Sequence, residues 1–220
     1  MTLLAESTRT FAFSDGELAR LAERHGSPVF VYRASEAVAQ VRRLRSVLPE
    51  RVRLAYAVKA NPHPVLLQAL AAEGLSFDCA SGGELARVAA LHLPAGRTFY
   101  AGPGKRTEEL ALALRQEVRV QAEGWEDLVR LEALAAGPID VNLRVHPLAA
   151  GEEATRILGG SGPSAFGVDE EHLPELLARV ATLPNIRLRG LHCFTASNQR
   201  DAARLQATHA AVLELAERLH

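Results

Sequence analysis

The chain has 220 residues, 48% of them hydrophobic, and a formal net charge of −1. That length allows one domain, up to the size of a barrel. A charge so close to zero excludes a general nucleic-acid binder, and no apolar run reaches the length of a membrane span.

The two cysteines, Cys79 and Cys193, fit neither a disulfide framework nor a zinc site, so no metal is expected. Residues 1–13 include Glu6, Ser7 and Thr8 and hold no signal-peptide core. They are read as a tail ahead of a domain over 14–220, with the cytoplasm as the default location.

Ser14-Asp15-Gly16-Glu17 predicts a helix start, with a capping residue and an early acid. The helix over 17–25 carries Leu18, Leu21 and Ala22 on one face, and Gly26 ends it. The apolar run 28–32 predicts a short strand. From there the pattern alternates: helix 34–48 and strand 52–58, helix 64–73 and strand 75–80, helix 83–91 and strand 98–101. Helix 108–115 and strand 118–120 follow, then helix 126–136 and strand 139–145. A long connection, 146–171, contains Gly159-Gly160-Ser161-Gly162-Pro163 and reads equally as a functional loop or a plain insert. Helix 173–183, strand 186–194 and helix 200–218 close the chain.

Repeated βα units imply a parallel sheet. Seven strands are predicted, where a closed (β/α)8 TIM barrel needs eight. The expected fold class is therefore α/β, a TIM barrel that is incomplete at about seven βα units. A doubly wound open sheet is the alternative, disfavoured because no glycine-rich fingerprint opens the first βα turn.

Barrel active sites lie at the C-terminal ends of the strands, so polar residues there are the candidates. Lys59 ends strand 52–58. Asp78, Ser81 and Glu84 follow one another at the end of strand 75–80. Gly102-Pro103-Gly104-Lys105 follows strand 98–101, Arg144 and His146 end strand 139–145, and residues 192–198 end the last strand. Singly, each is also an ordinary cap or loop residue; Asp78 and Ser81 could both cap the next helix.

Lys59 stands out because 25 basic residues include only two lysines, Lys59 and Lys105. It ends the apolar run 54–58. A buried lysine is costly if charged and tends to lose its proton, and a neutral amine is the nucleophile that forms Schiff bases. On position alone the plainer reading leads: a stem lying on the core with its head in water.

Tyr56-Ala57-Val58-Lys59-Ala60-Asn61 resembles the signature of the fold-type III pyridoxal 5'-phosphate (PLP) decarboxylases. These are the diaminopimelate, ornithine and arginine decarboxylases, which share an alanine racemase-like barrel. The resemblance implies that Lys59 holds PLP as a Schiff base and is the catalytic residue. Phe77-Asp78-Cys79-Ala80-Ser81-Gly82-Gly83-Glu84 is similar to the family's Phe-Asp-x-Ala-Ser-x-x-Glu, which implies cofactor-site roles for Asp78 and Glu84. Val141-Asn142-Leu143-Arg144-Val145 resembles the strand that sends an arginine toward the cofactor, although Arg144 could equally form a structural ion pair with Glu84 or Asp78. Gly190-Leu191-His192-Cys193-Phe194-Thr195-Ala196-Ser197-Asn198 is similar to Gly-Leu-His-x-His-x-Gly-Ser-Gln. His192 then matches the first histidine and Ser197 the phosphate-binding serine.

Two positions depart from the pattern. Phe194 stands where the family's second histidine stacks on the pyridine ring; its face can stack, but the protonatable edge is lost. Ala165, in Ser164-Ala165-Phe166-Gly167, replaces a lysine usual in the diaminopimelate enzymes. Both point to a branch from specialised pathways. The resemblance runs from about Asp15 to His220 and lacks the family's eighth strand and C-terminal β-domain. A fragment or a degenerate homologue is therefore expected, one that alone binds PLP weakly if at all and does not turn over. The implied activity of the complete enzyme is PLP-dependent decarboxylation of an amino-acid substrate, by a homodimer. The alternatives are a non-catalytic barrel homologue and a single-domain PLP-binding homeostasis protein. Alanine racemase is disfavoured, because Pro62-His63-Pro64 stands where its lysine motif continues with tyrosine and glycine.

Overall fold

Ser14 opens the first helix with a reciprocal cap: Glu17 N donates to its Oγ at 3.3 Å, and the Glu17 carboxylate accepts from Ser14 N at 2.8 Å. The structure is a computed structural model that describes residues 13–147, 166–194 and 200–219. The expected tail, apart from Phe13, and the glycine-rich tract 159–163 lie outside the described residues. Helix α1 (Asp15–His25) buries no side chain fully.

Strands and helices then alternate. Helix α2 (Ala34–Arg45) leads to β1 (Ala55–Ala57) and a 3₁₀ turn (Val58–Ala60). Helix α3 (Pro64–Ala72) leads to β2 (Ser76–Cys79), α4 (Gly82–Ala89) to β3 (Thr98–Tyr100), α5 (Thr107–Arg115) to β4 (Arg119–Ala122), and α6 (Trp125–Leu134) to β5 (Ile139–His146). Strand β6 (Val168–Asp169) precedes α7 (Leu173–Val180), β7 (Ile186–His192) and α8 (Ala202–Arg218).

Among the described residues the sheet has seven strands, all paired in parallel, in the order β1-β2-β3-β4-β5. Beyond β5 the chain pairs twice: β7 runs along Ile139–Arg144, and β6 joins only at Val145 and His146. The number agrees with the sequence expectation, but the members differ. The run 28–32 forms no strand and lies outside the sheet, and Phe30 is 85% exposed. Its apolar composition suits a strand, yet a strand exists only where a neighbour offers ladder partners. Among the described residues none lies beyond β1. Two-residue β6 was not expected, being too short to show a period.

Alternation along the strands separates two faces. Phe77, Cys79, Val120, Ala122, Val141, Leu143 and Val145 are buried and join the core with Leu67, Leu85, Leu110 and Leu128 of the helices. Each of those leucines is at most 1% exposed, and each contributes about 1.5–3 kcal/mol by leaving water. The intervening residues Asp78, Gln121, Asn142 and Arg144 take the other face. Nearer the strand starts that face is bridged by Asp140, which pairs with Arg187 at 2.8 Å and Arg189 at 3.0 Å. Parallel strands covered on both sides usually read apolar throughout. Here the inner face is polar, and it rises toward the C-terminal ends where the candidate residues stand.

Candidate active site

Lys59 sits in the 3₁₀ turn directly after β1, and that turn favours the plainer reading of its position, a head that reaches water. Val58 enters the core at 0% exposure, while Lys59 is exposed. The apolar wall ends one residue before the lysine. The turn is held by Tyr56, whose hydroxyl donates to the Asn61 carbonyl at 3.2 Å and whose ring meets Phe77 edge-on at 6.4 Å. The exposed amine faces the strand ends rather than the helical exterior: its Nζ lies 5.9 Å from the centre of the Phe194 ring.

Asp78 and His192 share this mouth. Asp78 Oδ1 and His192 Nδ1 are both buried without a hydrogen-bond partner. Burial pushes the Asp78 carboxyl above its usual range, against the pull of Lys59 and Arg144. Burial, then the charges of Arg144, Lys105 and Lys59, pushes His192 down to about 4, so its imidazole is neutral near pH 7. Orphaned polar atoms are costly inside a protein, and two at one mouth mark a place for a ligand.

Arg144 does not pair with Asp78 or Glu84. Its Nη1 meets Glu123 at 3.0 Å and its guanidinium lies 4.7 Å over the Phe166 ring. Glu84 instead closes its own helix cap, accepting from Ala80 N at 2.8 Å while Ser81 Oγ accepts from Glu84 N at 3.3 Å. His146, at the end of β5, lies 3.4 Å from Asp169. Ser197 and Ala165 lie outside the described residues. Glu123 was missed from sequence, although it directly follows β4 and the strand-end rule would have found it.

Lys105 is the buried lysine, 3% exposed. Its Nζ donates to the Gly102 carbonyl at 2.7 Å and to Asp127 at 2.8 Å. Burial lowers its proton affinity and Asp127 raises it again.

Residues 34–220 match the family model described as "Pyridoxal-dependent decarboxylase, pyridoxal binding domain". The chain belongs to this family. It is 36% identical to the diaminopimelate decarboxylase of Actinosynnema pretiosum subsp. auranticum, over 83% of this chain and 42% of that protein. It is 30% identical to that of Aquifex aeolicus, over 100% of this chain and 54% of the relative. Among solved structures, lysine decarboxylase from Selenomonas ruminantium superposes with a TM-score of 0.78 at 27% identity, covering 95% of this chain and 52% of the other. The chain thus spans about half the length of the curated relatives it matches.

In this member of the family, carboxylates tie the rim loops together. Glu109 accepts from Gly82 N at 3.0 Å, Arg106 N at 2.9 Å and the Tyr100 hydroxyl at 3.0 Å. A β-carbon on Gly82 would stand 2.5 Å from that carboxylate. The Arg106 amide, foremost, holds the Glu109 carboxyl down at about 2, against an ordinary value of 4.5. The unfolded chain therefore binds the extra proton between those values. The stabilisation is complete above about pH 4.5 and is lost as pH falls through about 2. Glu109→Gln is expected to flatten the stability curve across that window, as read by urea unfolding at stepped pH. An equally steep curve in the variant would contradict the bonding.

Proposed function

We propose that this chain is the cofactor-binding part of a PLP-dependent amino-acid decarboxylase with a substrate of the diaminopimelate or ornithine type. The observation that carries this is the exposed Lys59 amine in a mouth that also holds the unpartnered Asp78 Oδ1 and His192 Nδ1. Those atoms, beside an aromatic face, fit a ligand that is itself a polar aromatic ring.

Lys59 would hold the cofactor through its aldehyde carbon. Asp78, whose carboxyl lies above the usual range, can accept the proton that the amine must shed before it attacks. Phe194 offers a ring face for stacking. Neutral His192 can hydrogen-bond without adding charge, and Arg144 would offer positive charge to the cofactor's anionic groups. Glu84 holds the Ala80 amide and so shapes the loop beside Asp78. Ser197 would contribute a hydroxyl to the phosphate. When bound, PLP supplies an electron sink for the bonding pair left as the α-carboxylate departs as CO2. The same assignment makes the complete protein a homodimer, which sedimentation would check, and the cytoplasm stays its default location.

With Lys59 exposed and water not excluded from the mouth, the 220-residue chain by itself is expected to bind PLP weakly and to release no CO2. Titration with PLP should give a saturable visible absorbance at high cofactor concentration. A chain that never develops it lacks the proposed site, and steady CO2 release from diaminopimelate, lysine or ornithine would overturn the expected inactivity.

A further inference from the structure

Glu123 stands where three rim segments meet. Its Oε1 accepts from Gly102 N at 2.7 Å, in the loop after β3, and from Arg144 Nη1 at 3.0 Å, on β5. Its Oε2 accepts from Gly167 N at 2.8 Å, just before β6. Behind it, Asp127 accepts from Glu123 N at 2.9 Å and from Lys105 Nζ at 2.8 Å. Both glycines that face Glu123 have positive φ, +114° at Gly102 and +75° at Gly167. A β-carbon at Gly167 would stand 2.9 Å from the Arg144 carbonyl oxygen. Only glycine allows the chain this close to Arg144 while its amide turns to the carboxylate. The Glu123 side chain is 9% exposed and Arg144's is 10%, so the pair is shielded and sterically held.

We propose that Glu123 is a positioning residue of the pyridoxal site: it fixes the Arg144 guanidinium and the Gly102 and Gly167 loops at the barrel mouth, and it acts on the site through Arg144. This role presupposes PLP binding at Lys59, but its geometry does not. A side chain that orients a ligand-facing group by hydrogen bonds commonly matters as much as the group itself.

Two measurements on the 220-residue chain test it. The first needs no cofactor: NMR titration of His192, which Arg144 on β5, Lys105 in the β3–α5 loop and Lys59 after β1 all face. Arg144→Gln removes one of those charges and raises the His192 midpoint. If Glu123 holds the guanidinium in place, Glu123→Gln releases it and raises the midpoint too. If it does not, losing a negative charge leaves the midpoint unchanged or lower, and the proposal fails.

The second is the PLP concentration giving half-maximal borohydride trapping on Lys59. Each single variant should raise it on the order of tenfold, and the double variant no further than Arg144→Gln alone. Effects that multiply would overturn the proposal. Should Glu123→Gln not fold, the double variant, which removes both buried charges, is compared with Arg144→Gln: equal trapping supports the role and a further loss refutes it. A wild-type chain that traps no PLP would sink the pyridoxal assignment, and the His192 titration would still decide Glu123.

Discussion

Lys59→Ala should abolish the lysine-linked borohydride-fixed pyridoxyl adduct and leave the stability of the chain almost untouched. The chain has one other lysine, and Lys105 Nζ is already bonded to Gly102 O and Asp127 behind a fully buried side chain. Reaching an aldehyde there would require breaking both bonds inside the protein. Lys59 is exposed and turned to the mouth. Borohydride makes each capture irreversible, so even weak binding accumulates as product. Peptide mapping should then place every lysine-linked adduct on Lys59 in the folded wild type and none on a lysine in the variant, any adduct on the Met1 α-amine being mapped separately. An exposed side chain with no ion pair among the described residues contributes within about 0.5 kcal/mol, so the melting temperature should move by about 1–2 °C. Adduct on Lys105 of the folded chain, in the wild type or in Lys59→Ala, would remove Lys59 from the mechanism.

Lys105→Ala should do the reverse. Asp127 and Glu123 have side chains 6% and 9% exposed, and they would face the gap with less positive charge to balance them. Breaking a buried pair from one side costs about 3–5 kcal/mol, because the remaining charge stays desolvated. Against a total of about 5–15 kcal/mol for a typical domain, that is a large share. The melting temperature should fall by about 6–20 °C. Arg130, which pairs with Asp127 at 2.6 Å and is 35% exposed, compensates in part and favours the lower end. A variant melting with the wild type would show that the Lys105–Asp127 pair is not buried as described.

The contrast between the two lysines shows what local sequence reading reaches. An apolar run followed by lysine looks like a lysine entering a core, and from composition alone the two outcomes cannot be told apart. A 3₁₀ turn at Val58–Ala60 decides it, by turning Val58 inward and Lys59 out. Lys105 sits among glycines and proline, with no local sign of burial, and its partner Asp127 is 22 residues away.

The sequence by itself determined the alternation of strands and helices, the Ser14 and Ser81 caps, and the placing of polar residues just after strands. These depend on short periods and contacts three or four residues apart. The motif around Lys59, combined with those over 77–84, 141–145 and 190–198, also named the family. Tertiary structure alone decided that residues 28–32 stay outside the sheet, that β6 joins β5, and that Arg144 pairs with Glu123 rather than Asp78 or Glu84. Each of those depends on which segments become neighbours: Glu123 meets Arg144 across 21 residues and Gly167 across 44. Such pairings follow from the register and curvature of the whole sheet, and no periodicity within a single element encodes them.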